Sequence, residues 1–443
     1  MSGPIAHRLL VAMTVDGFWR GAAIYFPLTL ALIAGFLSRG RTRQFVACLV
    51  SALWTLCSLL VLQRFNILAH WWSFSSTGPL VCGMPIELYL GWTVYWGIFP
   101  QLAFPRLQLW RVVVFFVVFD INFMPICRPF ATLSRDWLVG EAVAIALVFL
   151  PALTISRWTL QNTHLNLRST LQVAISGMLF LFVLPEIVFA LRPGAGWAPL
   201  LRMPSWERQL GIQVLLILAI PGVSAVMEFA QRGGGTPIPY DPPQRLVTSG
   251  VYRYCANPMQ MSCGMVMLLW AGMLHNVWLL LAAVTSIVYS AGIANWDEGG
   301  DLTSRFGVDW QHYREAVPAW RVRWRPYIGG APARLYIAST CGPCSQLRRW
   351  IEVRRPLGLE LIDAETLALG SIERLRYDPG DGSAVVEGIR ALARALEHLH
   401  LGWAWCGAGL RLPVVWQGVQ LLMDASGLGP RRLEACVTAR RGL

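Results

Sequence analysis

Charge is what this sequence has least of. Of its 443 residues only 14% are charged, against about 25% in an ordinary soluble protein. Lysine is missing altogether, so all 37 basic residues are arginines. No Walker A loop and no glycine fingerprint of a dinucleotide fold occurs, which removes the familiar phosphate cradles. No H-E-x-x-H pattern and no Cys/His spacing suited to zinc occurs, so no metal is expected. The net charge of +12 comes without a nucleic-acid motif, so nucleic acid is not an expected partner. The segment 1–20 is mixed and lacks the pattern of a cleavable signal peptide. There is no internal repeat and no low-complexity tract. Of ten cysteines only Cys341 and Cys344 form a motif spacing. Cys48, Cys57 and Cys263 lie in apolar runs and read as small packing residues.

What is present is apolar. The chain is 55% hydrophobic and has 21 tryptophans, a composition that belongs in a bilayer. A membrane span needs roughly 20 mostly apolar residues. Nine candidates are found, at 18–37, 45–62, 87–104, 109–127, 137–155, 171–191, 210–229, 259–272 and 277–294. The expected fold is therefore a polytopic α-helical membrane protein. Arg39, Arg41 and Arg43 follow the first span and place that loop in the cytoplasm. Alternation then puts Arg106, Arg157, Arg232, Arg245 and Arg253 on the cytoplasmic side, although Arg192, Arg202 and Arg208 fall outside. With nine spans the C-terminal region is cytoplasmic.

Asp120, Glu141, Glu186 and Glu228 interrupt apolar runs. A charge at membrane depth costs about 2.5–3.5 kcal/mol on insertion scales, so each needs a partner or a wet cavity. The plainer reading is an interhelical hydrogen bond or a place near a span end. The other is a polar substrate pocket or proton path. Cys82 and Cys127 share the outer face, with a bridge between them the lesser reading.

The stretch 240–327 carries the densest chemistry. Pro242, Pro243 and Gly250 shape a polar loop holding Tyr252, Arg253, Tyr254 and Asn257. Pro258 leads into hydrophobic sequence, where it suits a first helical turn. Two apolar runs separated by His275-Asn276 make a hairpin, and the chain re-emerges at Asp297-Glu298. The hairpin returns both polar clusters to one membrane face. Gly250-Val251-Tyr252-Arg253-Tyr254-Cys255-Ala256-Asn257-Pro258-Met259-Gln260 is followed by Glu298 with Leu302, Phe306-Gly307, Tyr313, and Val317-Pro318 with Trp320. This order resembles the isoprenylcysteine carboxyl methyltransferase family and its phospholipid methyltransferase relatives. That family shows G-x-Y-x-Y-x-R-(N/H)-P-x-Y, a hairpin, E-E-x-x-L, F-G-x-x-Y-x-x-Y and V-P-x-W. Ala256 stands where the family usually has Arg, Gln260 and Trp310 where it has Tyr, and Gly299 at the second Glu.

The resemblance implies a methyltransferase using S-adenosylmethionine, with Tyr252, Tyr254, Asn257, Pro258, Met259, Glu298 and Tyr313 lining the cofactor pocket. Arg253 would meet the acceptor's acidic group, and Arg253, Asn257 and Glu298 would carry the reaction. Tyrosine faces suit a sulfonium by cation–π attraction. The expected acceptor is a membrane lipid or amphipathic small molecule, methylated on a carboxylate oxygen, with an amine or thiol as the alternative. Arg321, Arg323 and Arg325 alternate with Trp320, Trp324 and Tyr327, as in a membrane-surface anchor.

Beyond Tyr327 the composition changes. Gly329-Gly330-Ala331-Pro332 reads as a linker. Residues 334–339 alternate like a strand, and Cys341-Gly342-Pro343-Cys344 opens helical sequence. A cysteine at a helix N-terminus has a stabilised thiolate, and a second one a turn later can resolve a mixed disulfide. Cys341 is thus the expected attacking thiol and Cys344 the resolving one. C-G-P-C is similar to the thioredoxin site. Asp381-Gly382 with Gly388-Ile389-Arg390-Ala391-Leu392 resembles the DCC family of thiol–disulfide oxidoreductases. Leu412-Pro413-Val414-Val415 would supply the turn facing the cysteines, and Thr340 stands where that family has Asp. The resemblance implies an α/β thioredoxin-like domain and a thiol redox partner. The expected domains are 1–232 (helices of unassigned role), 233–327 (methyltransferase-like hairpin), 328–333 (linker) and 334–443 (thioredoxin-like). The alternative function is a membrane-anchored thiol–disulfide oxidoreductase without methyl transfer.

Overall fold

The computed structural model describes residues 3–38, 42–74, 79–127, 130–192, 194–238, 241–367 and 373–430, with side chains from residue 17 onward. Arg39, Arg41, Tyr240 and the tail beyond 430 lie outside the described residues. The fold is mostly helical, with a small sheet in the C-terminal region. Among the described residues seven helices are long and apolar enough to cross a membrane. The contacts divide the chain into two compact units, 1–202 with 235–242, and 203–234 with 243–443. Residues 203–234 thus group with those from 243 onward. The 328–333 stretch marks no boundary between units.

In the first unit the helices are α1 (Gly3–Ser38), α2 (Thr42–Ala69), α3 (86–103), α4 (Leu109–Phe123), α5 (Trp137–Gln161) and α6 (Leu165–Leu191). Two-residue and three-residue strands, β1 (Trp72–Phe74) to β4 (Ala131–Leu133), trim one end, β1 pairing with β4, and β2 (Leu80–Val81) with β3 (Met84–Pro85). Aromatic rings fill the core: Phe116 lies 4.9 Å from both Tyr95 and Phe149. Small residues let backbones approach, as membrane helices need. A side chain at Gly97 would come within 2.8 Å of the Ala52 Cα.

Among the four intramembrane acids, three have partners, as the plainer reading expects. Trp96 Nε1 donates to Asp120 (3.3 Å). Glu186 pairs with Arg64 and accepts from Trp197 Nε1 (2.8 Å) and Cys82 Sγ (3.2 Å). Cys82 and Cys127 are not bridged. Glu228 belongs to the second unit, where arginines surround it. Glu141 Oε1 is buried without a hydrogen-bond partner.

The second unit opens with α7 (Ser205–Gly233), then α8 (Pro258–Met273), α9 (Val277–Tyr289) and α10 (Asn295–Ala316). Helix α8 runs antiparallel along α7: Ser262 meets Gly222 and Met273 meets Gly211. The expected hairpin break is where the sequence put it. The Asn276 side chain caps α9, accepting from the amides of Trp278 and Leu279, both at 3.0 Å. Of the nine expected spans, 86–103 and α8 are helical but are not among the seven. The 16 residues of α8 reach about 24 Å at 1.5 Å per residue, short of the roughly 30 Å hydrocarbon core.

The C-terminal sheet has β5 (Ala333–Ile337), β6 (Leu359–Asp363), β7 (Arg376–Asp378) and β8 (Val386–Glu387) in the order β6-β5-β7-β8. β5 and β6 are parallel, and β7 and β8 antiparallel to their neighbours. Helices α11 (Gly342–Val353), α12 (Ile389–Leu396), α13 (Leu401–Leu410) and α14 (Val415–Met423) complete the region. Leu335, Ile337 and Ile351 are buried against Ala391 and Ala395. Gly388 has φ +63°, and a Cβ there would stand 2.3 Å from Gln420 Oε1, so only glycine fits at this helix start.

Candidate active site

The loop at 250–257 is held by its main chain. Gly250 has φ +63°, and a Cβ would crowd the carboxylate of Glu228 at 3.1 Å. A single 3-10 turn, Gly250–Arg253, follows. The segment 317–327 then lies along the loop like a strap. Ala256 N donates to Pro318 O (3.0 Å), Asn257 N to Ala319 O (3.3 Å), Arg323 N to Tyr254 O (2.9 Å) and Tyr327 N to Arg253 O (2.9 Å). Tyr313 Oη donates to the Tyr252 carbonyl (2.7 Å), fixing α10 to the same loop. Val317 and Tyr313 are buried with Ala256. The V-P-x-W ending is thus the second edge of the site.

Two side-chain bridges cross the base of the hairpin. Asn257 Nδ2 lies 3.4 Å from Asn295 Oδ1 and from Gln260 Oε1, and Gln260 Nε2 donates to Glu298 Oε1 (3.0 Å). Pro258 occupies the first turn of α8, which frees Asn257 to face across. A π-helical turn at Ser290–Ala294 leads into α10, and Gly307 (φ +55°, ψ −128°) breaks α10 where Phe306-Gly307 was singled out. Asn257 and Glu298 therefore share one end of the hairpin, joined through Gln260, with Asn295 added by the structure.

The other expected site residues divide. Tyr252 and Tyr254 are buried. Tyr254 Oη donates to the Glu397 carbonyl (3.0 Å), so this hydroxyl is engaged away from the polar row. Arg253 Nη1 reaches the Tyr327 carbonyl (3.3 Å). Met259 packs against the buried cluster that includes Val251 and Tyr252. Four buried donor atoms, Tyr252 Oη, Arg253 Nε, Trp320 Nε1 and Arg323 Nη1, have no hydrogen-bond partner. Buried donors left unmatched cost about 1–3 kcal/mol each, so the set suits a ligand bearing acceptors such as a carboxylate. The exposed Glu298 carboxylate suits an ammonium. Burial pushes the Tyr252 phenol well above its ordinary value, so it stays a neutral donor. Burial likewise pushes the Cys255 thiol up to about 11. It donates to Ala319 O (3.0 Å) and is structural.

In the C-terminal region Cys341 stands at the N-cap of α11, after β5, with Ser345 N donating to its carbonyl (2.9 Å). Cys344 follows in the first turn, and both are half-buried. Sequence reading missed Glu365. Its Oε1 accepts from the amides of Ser339 (2.8 Å) and Thr340 (3.1 Å) and from Thr340 Oγ1 (3.0 Å). Burial opposes its charge, yet these donors outweigh it and pull the carboxyl down to about 2. A carboxylate thus stands beside the position where the DCC pattern has Asp and this chain has Thr340. It comes from 25 residues downstream, and no spacing signals it. Pro413, expected at a turn facing the cysteines, lies in the connection between α13 and α14.

A second feature was also missed. Glu228, fully buried at the end of α7, accepts from Arg394 Nη1 (2.8 Å), Arg411 Nη1 (2.6 Å) and the Ser249 hydroxyl. Arg394 and Arg411 also face Glu397, at 3.3 and 2.7 Å. The second of these contacts is off the N–H direction and so is purely electrostatic. Arg411 Nη2 reaches Ser224 Oγ (3.0 Å), and Arg232 pairs with Asp381 (2.7 Å). No family model, no curated protein and no solved structure matches the chain.

Proposed function

We propose that this protein is a membrane-embedded methyltransferase that uses S-adenosylmethionine to methylate a lipidic or amphipathic acceptor on a carboxylate oxygen. The observation that carries it is the pair of bridges Asn257–Asn295 and Gln260–Glu298, which join the two halves of the motif at one end of the hairpin. The cofactor supplies a methyl group activated by its sulfonium. Methyl transfer asks little covalent help: donor and acceptor must be in line and water kept out. In this reading Glu298 takes the cofactor's ammonium, and Asn257 with the unpartnered Trp320 Nε1 and Arg323 Nη1 takes its carboxylate. The faces of Tyr252 and Tyr313 border the sulfonium, and Arg253 holds the acceptor's acid. Held in this way, the cofactor would present its methyl group to a carboxylate oxygen of the acceptor positioned by Arg253. In this reading 86–103 and α8, the latter with the bilayer thinned around it, complete nine crossings, with the loop, the strap and the C-terminal region cytoplasmic, where the cofactor is made.

The C-terminal region reads as thioredoxin-like. Its support is the strand order, parallel then antiparallel, with Cys341 at the first strand-to-helix turn. The Cys341 thiolate attacks a substrate disulfide and displaces one thiolate. Cys344 then attacks Cys341 sulfur, releasing the second and leaving an intramolecular disulfide that a cellular dithiol reduces. The membrane-anchored oxidoreductase without methyl transfer remains the rival reading. The deciding experiment is binding of methyl-labelled S-adenosylmethionine to the protein in nanodiscs. Wild type should bind and Glu298→Ala should not. Glu298 is exposed, so its loss spares the fold. Undiminished binding by Glu298→Ala refutes the site, and absence of binding by wild type favours the oxidoreductase.

A further inference from the structure

We infer that helices α13 and α14 of the C-terminal region lie in the lipid bilayer, so that the domain carrying Cys341 and Cys344 is seated in the membrane rather than tethered beside it. The inference rests on α7 being a membrane span, not on methyl transfer.

The depth follows from one hydrogen bond. Trp405 Nε1 on α13 donates to the Ile217 carbonyl of α7 (3.1 Å). Helix α7 has 29 residues, about 43 Å, against a hydrocarbon core of about 30 Å. Ile217 stands about 18 Å from the start of α7 and about 24 Å from its end. However the helix is slid along the membrane normal, this residue stays inside the core. The contact is not isolated. Gly409 faces Ile220 at ordinary van der Waals distance, and Ala408 is buried with Ala225. Arg411 reaches Ser224 and Glu228. So α13 rides along the half of α7 that ends at Gly233.

The composition of the segment agrees. Between Leu401 and Leu428 only Arg411 and Asp424 are charged, and both are turned inward, Arg411 to Glu228 and Asp424 to Arg374 (2.9 Å). Just before and along α14 the large exposed side chains are apolar, Val414 at 75%, Leu421 at 69% and Leu422 at 68%, with Gln417 the exposed polar one. Scattered exposed leucines need no explanation, but a charge-free outward face continuous with a spanning helix does. Helix α7 shows the same outward character, with Leu210 and Leu216 more than half exposed. The occupant that covers both is acyl chain. Neither helix is long enough to span, so the pair lies within one leaflet. The cysteines would then act on thiols or disulfides held at the membrane surface.

The test uses the whole wild-type chain in nanodiscs containing phosphatidylcholine with a photoactivatable group on its acyl chain. Lipid adducts are mapped by peptide mass spectrometry beside hydroxyl-radical footprinting from water. Adducts on the 414–422 peptide, comparable to those on 210–217, are expected, with little oxidation of Leu421 and Leu422. The strand residue Glu360, charged and exposed, should show the opposite pattern. Oxidation of 414–422 at the level of 360, without lipid adducts, overturns the inference. So does protection from water without lipid adducts, which would mean that a second protein surface, such as another copy, covers the helices.

Discussion

Replacing Glu228 by glutamine should destabilise the second unit far more than its single position suggests. Glu228, Glu397, Arg394 and Arg411 make a set with no net charge, all buried. Neutralising one acid leaves a surplus guanidinium in a place shielded from water. Breaking such a buried pair from one side costs about 3–5 kcal/mol, against a total stability of about 5–15 kcal/mol for ordinary proteins. The loss would show as a clearly lower unfolding temperature in detergent. The Ser249 hydroxyl also bonds to Glu228, so the loop at 250–257 should loosen with it. Arg394→Met alone should cost a similar amount, because it leaves the acids in surplus. The double variant Glu228→Gln/Arg394→Met removes one charge of each sign. It should therefore be more stable than the sum of the two single losses predicts, by at least about 2 kcal/mol, since residues in one ion network couple. Strict additivity of the two single effects refutes the reasoning, as does a Glu228→Gln variant that unfolds where wild type does.

Two further outcomes are expected. His398 is buried, with Nδ1 2.7 Å from the Leu357 carbonyl and Nε2 2.9 Å from Tyr377 Oη. The carbonyl can only accept, so Nδ1 carries the proton and Nε2 accepts from the tyrosine. Burial, with Arg253 and Arg394 nearby, pulls His398 from 6.5 down to about 3. The folded value is depressed, so this stability is present above pH 6.5 and is lost as pH falls toward 3. By pH 5 the loss is about 2 kcal/mol. His398→Gln should therefore flatten the difference in unfolding midpoint between pH 7 and pH 5, and a variant with the wild-type slope would exclude the assignment. Asn276→Ala removes the side-chain cap of α9 and should cost about 1 kcal/mol in a thermal melt; Asn276→Asp, which keeps the acceptor, should lose much less.

Local signals were legible and distant ones were not. The polar break at His275-Asn276, the proline at the first turn of α8 and the cysteine ahead of α11 all sit within a few residues of the groups they serve. Each obeys capping rules that a sequence displays directly. Glu228 meets Arg394 and Arg411 across 166 and 183 residues, and an arginine in a soluble-looking stretch gives no sign that it will be buried. Glu365 was missed for the same reason. Helix α13 was missed because ten apolar residues are too few to read as a span. Only its contact with Ile217 reveals its depth.

The departures from the methyltransferase pattern make physical sense at two positions. Ala256 donates its amide to Pro318 and sits in an apolar cluster with Tyr313 and Val317, where an arginine would need a buried partner that this chain does not supply among the described residues. Arg323 lies on the adjoining strap, where its amide bonds to Tyr254 and its Nη1 is buried without a partner. Gln260 replaces a tyrosine but keeps a donor, and its amide spans the hairpin from Asn257 to Glu298. An amide offers an acceptor and a donor at once, which a phenol can do only through one oxygen. Gln260 thereby links Asn257 and Glu298 in one row. Under the proposed reading the strap, not the loop alone, would set what the site accepts, since the main chain of 253–257 is already committed to it.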